Sequence, residues 1–125
     1  MQSIAVDGCT LQLSAGTGSI SITSQPSQKI KCDGKGAYKG QIQFSISGYM
    51  GTNITNGDGQ GSGSISGTSR CVKIEGQTAV LQNDTSESVT INGTKPSSSG
   101  SGTEPAVDVI TVKVSDAGQS KVKAE

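Results

Sequence analysis

A short phrase, Ile or Val followed two residues later by a third residue and then Asp or Glu, occurs four times: Ile4-Ala5-Val6-Asp7, Ile30-Lys31-Cys32-Asp33, Val72-Lys73-Ile74-Glu75 and Val122-Lys123-Ala124-Glu125. The first three copies run into a glycine, at Gly8, Gly34 and Gly76. The middle two agree further, because Lys31-Cys32-Asp33-Gly34-Lys35-Gly36-Ala37 aligns with Lys73-Ile74-Glu75-Gly76-Gln77-Thr78-Ala79 at an offset of 42 residues. A chain that reuses one local unit must pack copies of it against each other, so the repeat constrains the fold more than any single residue does. Apolar side chains two apart share one face of a strand, and an acid followed by Gly supplies a tight turn. Each copy therefore reads as a short strand entering a turn at Asp7-Gly8, Asp33-Gly34 or Glu75-Gly76. Ile30/Cys32 and Val72/Ile74 are expected to face inward, and Lys31 and Lys73 to face water.

Alternation is the dominant period elsewhere. Ser19-Ile20-Ser21-Ile22-Thr23 and Gln41-Ile42-Gln43-Phe44-Ser45-Ile46-Ser47 put every second side chain on an apolar face, as half-buried strands do. Val89-Thr90-Ile91 ends at Asn92-Gly93, which predicts a hairpin turn. The late run Val107 to Val114 changes phase between Val109 and Ile110, which predicts a bulge. Residues 51–64 and 94–105 are rich in Gly and Ser and read as flexible loops. No window repeats apolar residues at helical spacing. The expectation is one all-β domain over residues 1–125: a small, loop-rich fold of short strands and turns with internal pseudo-repeats and almost no helix.

Composition limits the function classes. Gly, Ser and Thr fill 50 of 125 positions and only Tyr38, Phe44 and Tyr49 are aromatic, so the core must be built from small β-branched residues. The formal net charge is zero, which removes the simplest argument for nucleic acid or an anionic membrane as a partner. There is no histidine, and with it go imidazole bases and Ser-His or Cys-His nucleophile pairs. The carboxylates Asp7, Asp33, Glu75 and Asp84 lie at turns, so an enzyme is not expected. Cys9, Cys32 and Cys71 cannot all pair within one chain and form no C-x-x-C motif. They are the only candidate metal ligands, with zinc or iron the metals their thiolates would suit, although Cys32 stands where the repeat elsewhere places Ile74 and so also reads as a core residue. The start Met1-Gln2-Ser3 shows no signal-peptide pattern.

Val72-Lys73-Ile74-Glu75-Gly76-Gln77-Thr78-Ala79-Val80-Leu81-Gln82-Asn83-Asp84, with Lys31 to Ala37 as a shorter copy, resembles the repeated unit of PAAR and PAAR-like proteins. The resemblance implies a conical β fold that caps a trimeric VgrG-like or phage-type spike, one tip per trimer, and sharpens it for membrane puncture by a contractile injection system. It implies assembly in the cytoplasm and delivery outward on contraction, with the target membrane met only during puncture and no nucleic-acid partner. The Pro-Ala-Ala-Arg phrase is replaced by Thr78-Ala79-Val80-Leu81, and the histidine ligands found at many tips of the family have no counterpart. No cofactor is required on this reading, and zinc or iron at Cys9, Cys32 and Cys71 is the alternative it leaves open. A carbohydrate-binding or adhesin-like β-sandwich is the competing reading.

Overall fold

The computed structural model describes residues 2–69, 71–98 and 100–124. Thirteen strands follow in chain order: β1 (Gln2–Ser3), β2 (Thr10–Leu13), β3 (Thr17–Ile22), β4 (Lys31–Cys32), β5 (Lys35–Gly36), β6 (Gln41–Met50), β7 (Gly59–Ser66), β8 (Lys73–Ile74), β9 (Gln77–Thr78), β10 (Val89–Pro96), β11 (Thr103–Ile110), β12 (Val112–Asp116) and β13 (Lys123–Ala124). The protein is all-β, with no helix among the described residues.

The long strands make a body. β11, β10, β7, β6 and β3 form one antiparallel sheet in that order, and β12, which follows β11 after Thr111, pairs with β2. β2 and β3 are joined by a three-residue turn but do not pair with each other, so the circuit of strands stays open there. Ile42, Phe44 and Ile46 share the inner face of β6 as the alternation requires, and all three are buried. Gly48, at φ 61, sits where the β6–β7 register shifts between Ile46 and Tyr49. The extra residue turns Tyr49 inward, where it is 1% exposed. Ile65, Val89, Ile91, Ala106, Ile110, Val112 and Val114 complete the interior.

Four local expectations are corrected. The Gly-rich stretch 51–64 is strand from Gly59 onward, and its glycines alternate because they face the core. A Cβ on Gly59 would lie 2.9 Å from Tyr49 Cβ, one on Gly61 2.7 Å from Ile91 Cδ1, and one on Gly63 3.0 Å from Phe44 Cζ. The large side chains of neighbouring strands fill the space that side chains on β7 would need. Within 94–105 both flanks are strand, with only residues 97–102 between β10 and β11. Asn92-Gly93 is no turn, since Asn92 pairs with Val107 and Gly93 with Ala106 in mid-ladder. Gly93 is required by close approach, as its Cβ would meet Ile54 Cγ2 at 2.6 Å. The bulge expected between Val109 and Ile110 is also absent. Ala106, Asp108, Ile110, Val112 and Val114 keep one inward phase, which leaves Val107 and Val109 outside at 45% and 61% exposure. Asp108 is tolerated inside because its carboxylate accepts the N–H groups of Asn53 (3.1 Å) and Ile54 (2.9 Å), so a buried charge has its hydrogen bonds.

Candidate functional site

The repeats build the end of the molecule opposite the hairpin loops of the body. Asp33 and Gly34 have φ of 55 and 78, and Glu75 and Gly76 have 52 and 84. Positive φ at both central residues is the two-residue hairpin turn whose twist matches its strands, and it closes β4 on β5 and β8 on β9. A third hairpin is assembled from the two ends of the chain, β13 against β1, with Lys123 opposite Ser3 as Lys31 is opposite Gly36 and Lys73 opposite Thr78. Glu125, which the sequence aligns with Asp33 and Glu75, lies outside the described residues.

The three units share finer detail. Ser27 Oγ accepts the Ile30 N–H (3.0 Å), Ser69 Oγ the Val72 N–H (3.1 Å) and Gln119 Oε1 the Val122 N–H (2.8 Å). The carbonyls of Ile30, Val72 and Val122 in turn accept the N–H groups of Ala37, Ala79 and Ile4. Each unit then bonds to the next in a closed cycle. Asp7 N–H donates to Gly36 O, Gly40 N–H to Thr78 O and Gln82 N–H to Ser3 O, each at 2.8 Å. Bridges Val6–Ala37, Lys39–Ala79 and Ile4–Leu81 follow the same cycle. The result is a pseudo-threefold trefoil with its own small core of Ile4, Val6, Cys32, Ala37, Ile74, Ala79, Leu81 and Ala124. Ala5, Tyr38 and Val80, one from each unit, belong to the body core beneath it.

The structure revises which sequence copies are equivalent. The Val122 copy is a true third unit, whereas the phrase at Ile4 is not, because Ile4 occupies the place of Ala37 and Ala79. Asp7-Gly8 is accordingly a different turn: only Gly8 has positive φ (93), and Cys9 N–H bonds back to Val6 O. Its counterpart is Leu81 to Asp84, where Asn83 has φ 75 and Asp84 N–H bonds to Leu81 O. Ile30 is not inward as expected but 41% exposed, and Val72 is half-buried. Ser27, Ser69 and Gln119 belong to no repeated phrase in the sequence. Their common spacing, three residues before Ile30, Val72 and Val122, was the available signal.

Charges stitch neighbouring units. Lys121 of the third unit approaches Asp33 of the first at 3.3 Å, and Lys39 of the first approaches Glu75 of the second at 3.5 Å. The Ser27 hydroxyl donates to Glu75 at 2.5 Å. That bond first, and then the Lys39 charge, hold the Glu75 carboxyl below the usual range. The three cysteines are not brought together: Cys9 is in the body core, Cys32 in the trefoil core and Cys71 is exposed. No group of three His, Cys, Asp or Glu positioned for a metal occurs among the described residues. Burial, with the Asp7 charge second, pushes the Cys9 thiol up to about 11, and burial raises Cys32 as well. A thiol held protonated is a poor ligand and a poor nucleophile. A thiol-reactive disulfide reagent should therefore read one cysteine in the native protein, Cys71, and all three after denaturation. Prompt reaction of two or three in the native state would contradict the burial of Cys9 and Cys32.

Comparison with protein-family models, with curated proteins and with solved structures finds no match to this chain.

Proposed function

We propose that this protein is the tip of a contractile injection system, capping a trimeric VgrG-like or phage-type spike with one copy per trimer and sharpening it for membrane puncture. The observation that carries the reading is the closed trefoil. A single chain that continues a trimeric spike to a point must carry the threefold axis in its own fold, and three hairpins joined by a cyclic set of 2.8 Å backbone bonds carry it. The trefoil strands are two residues long where those of the body reach ten, which suits a taper. Met50, Val107 and Val109 are exposed on the body, away from the trefoil, and offer apolar contact to a partner there. Assembly in the cytoplasm and delivery outward on contraction follow from this reading, and no catalytic step or cofactor is assigned.

The carbohydrate-binding alternative is disfavoured by the placement of the aromatics. Tyr38, Phe44 and Tyr49 are 3%, 1% and 1% exposed, so none offers a stacking platform for a sugar ring. Mixing the protein with a trimeric β-helical spike and weighing the complex by light scattering tests the proposal. The expected mass is one tip per trimer, stable in high salt because apolar contacts and backbone pairing are not screened. Three tips per trimer, or no complex, would overturn it.

A further inference from the structure

We infer that the trefoil end is a cationic, amphipathic surface that docks on an anionic lipid bilayer. The pseudo-threefold places Ile30, Val72 and Val122 at equivalent positions, each followed by a lysine: Lys31, Lys73 and Lys123. Ile30 and Val122 are 41% and 38% exposed and Val72 is half-buried, while the three lysines are exposed and have no ion-pair partner among the described residues. Aliphatic side chains alternating with ammonium groups match a head-group boundary, where the apolar carbons enter the acyl edge and the charges stay among phosphates.

The zero net charge conceals a polarised molecule. Seven of the nine lysines lie in residues 26–40, 68–82 and 117–124. Among the described residues the acids at this end are Asp7, its counterpart Asp84, Asp33 and Glu75, and Asp33 and Glu75 are already occupied by Lys121 and Lys39. Among the described residues the body carries Lys95 and Lys113 against Asp58, Glu87, Glu104, Asp108 and Asp116. A negative surface would therefore attract the trefoil and repel the body, which orients the molecule as well as binding it. Lipid is favoured over nucleic acid because the lysines interleave with aliphatic residues, and because Tyr38, Phe44 and Tyr49 are all buried and cannot stack on bases.

The surface lies on the trefoil rather than on the part of the body proposed to meet the spike, so it is tested with no spike present and its failure is separate from failure of the capping reading. The full chain should float with phosphatidylcholine vesicles that contain phosphatidylglycerol, not with pure phosphatidylcholine, and should be released as salt rises. Combined Lys31→Glu, Lys73→Glu and Lys123→Glu should weaken partitioning by about 100-fold or more. The milder Lys→Gln changes at the same positions, which serve where the reversed charges impair folding, should also weaken it, by a smaller factor. Ile30→Ser with Val122→Ser should weaken it by about tenfold. Lys95→Glu with Lys113→Glu on the body should not weaken it. Equal binding to neutral vesicles, no binding to anionic ones, indifference of a folded triple variant, or capture of a DNA duplex in place of vesicles would each overturn the inference.

Discussion

Phe44→Ala should lower the stability of the fold by about 3 to 5 kcal/mol and its melting temperature by roughly 10 to 15 °C. Phe44 is 1% exposed in the centre of β6, opposite Ile22 on β3 and Gly63 on β7. Both neighbours are held by ladder hydrogen bonds, so the strands cannot close on the space that truncation leaves. Gly63 sharpens the case, because a side chain there would collide with the Phe44 ring. The ring therefore fills the volume of two positions. Thermal or urea unfolding followed by circular dichroism measures the loss, and a change below about 1 kcal/mol would show that the ring is not a core element. The two sites should also couple: Gly63→Val, destabilising alone, should be better tolerated beside Phe44→Ala than in the wild type.

That pairing shows where the sequence is legible and where it is not. The alternation through Ile42, Phe44 and Ile46 carries its face assignment unaided, because polar residues stand between the apolar ones. The match of residues 31–37 with 73–79 likewise exposes two of the three trefoil units, since turn chemistry at Asp33-Gly34 and Glu75-Gly76 is local. Gly59, Gly61 and Gly63 carry equal information, a period of two, but a glycine that faces a core looks like a loop until the side chains opposite are known. Val107-Asp108-Val109 misleads for a related reason. Its inward residue is a carboxylate satisfied by backbone donors 54 to 55 residues away in sequence, a pairing that no local pattern records. Asn92-Gly93 has a strong turn preference that the β7 and β11 ladders on either side override. The third unit is hardest to see, as its two strands stand at opposite ends of the sequence. Net charge, summed over the chain, hides a separation of charge that only the trefoil reveals.

The trefoil can be tested at one atom. Gly67→Ala should cost about 3 kcal/mol or more, the upper end of ordinary overpacking, although alanine adds a single carbon. Gly67 donates to Gly40 O at 2.7 Å, just where the first unit bonds to the second through Gly40 N–H and Thr78 O. A Cβ there would lie 2.6 Å from Thr78 O, 2.7 Å from Ala79 O and 2.9 Å from Ala79 C. All three are backbone atoms of a hydrogen-bonded hairpin, so no side chain can swing aside to make room. Its φ lies outside the left-handed range, so the expected cost is steric rather than conformational. Gly76→Ala gives the opposite case: φ is 84 and nothing lies within 4 Å of the added carbon, so only the left-handed backbone is penalised, by about 1 to 2 kcal/mol. Unfolding of the two variants side by side, with amide exchange at Gly40 and Ala79 as the local readout, separates the two causes. If Gly67→Ala melts as high as Gly76→Ala, the contact between the first and second units is looser than the closed trefoil requires.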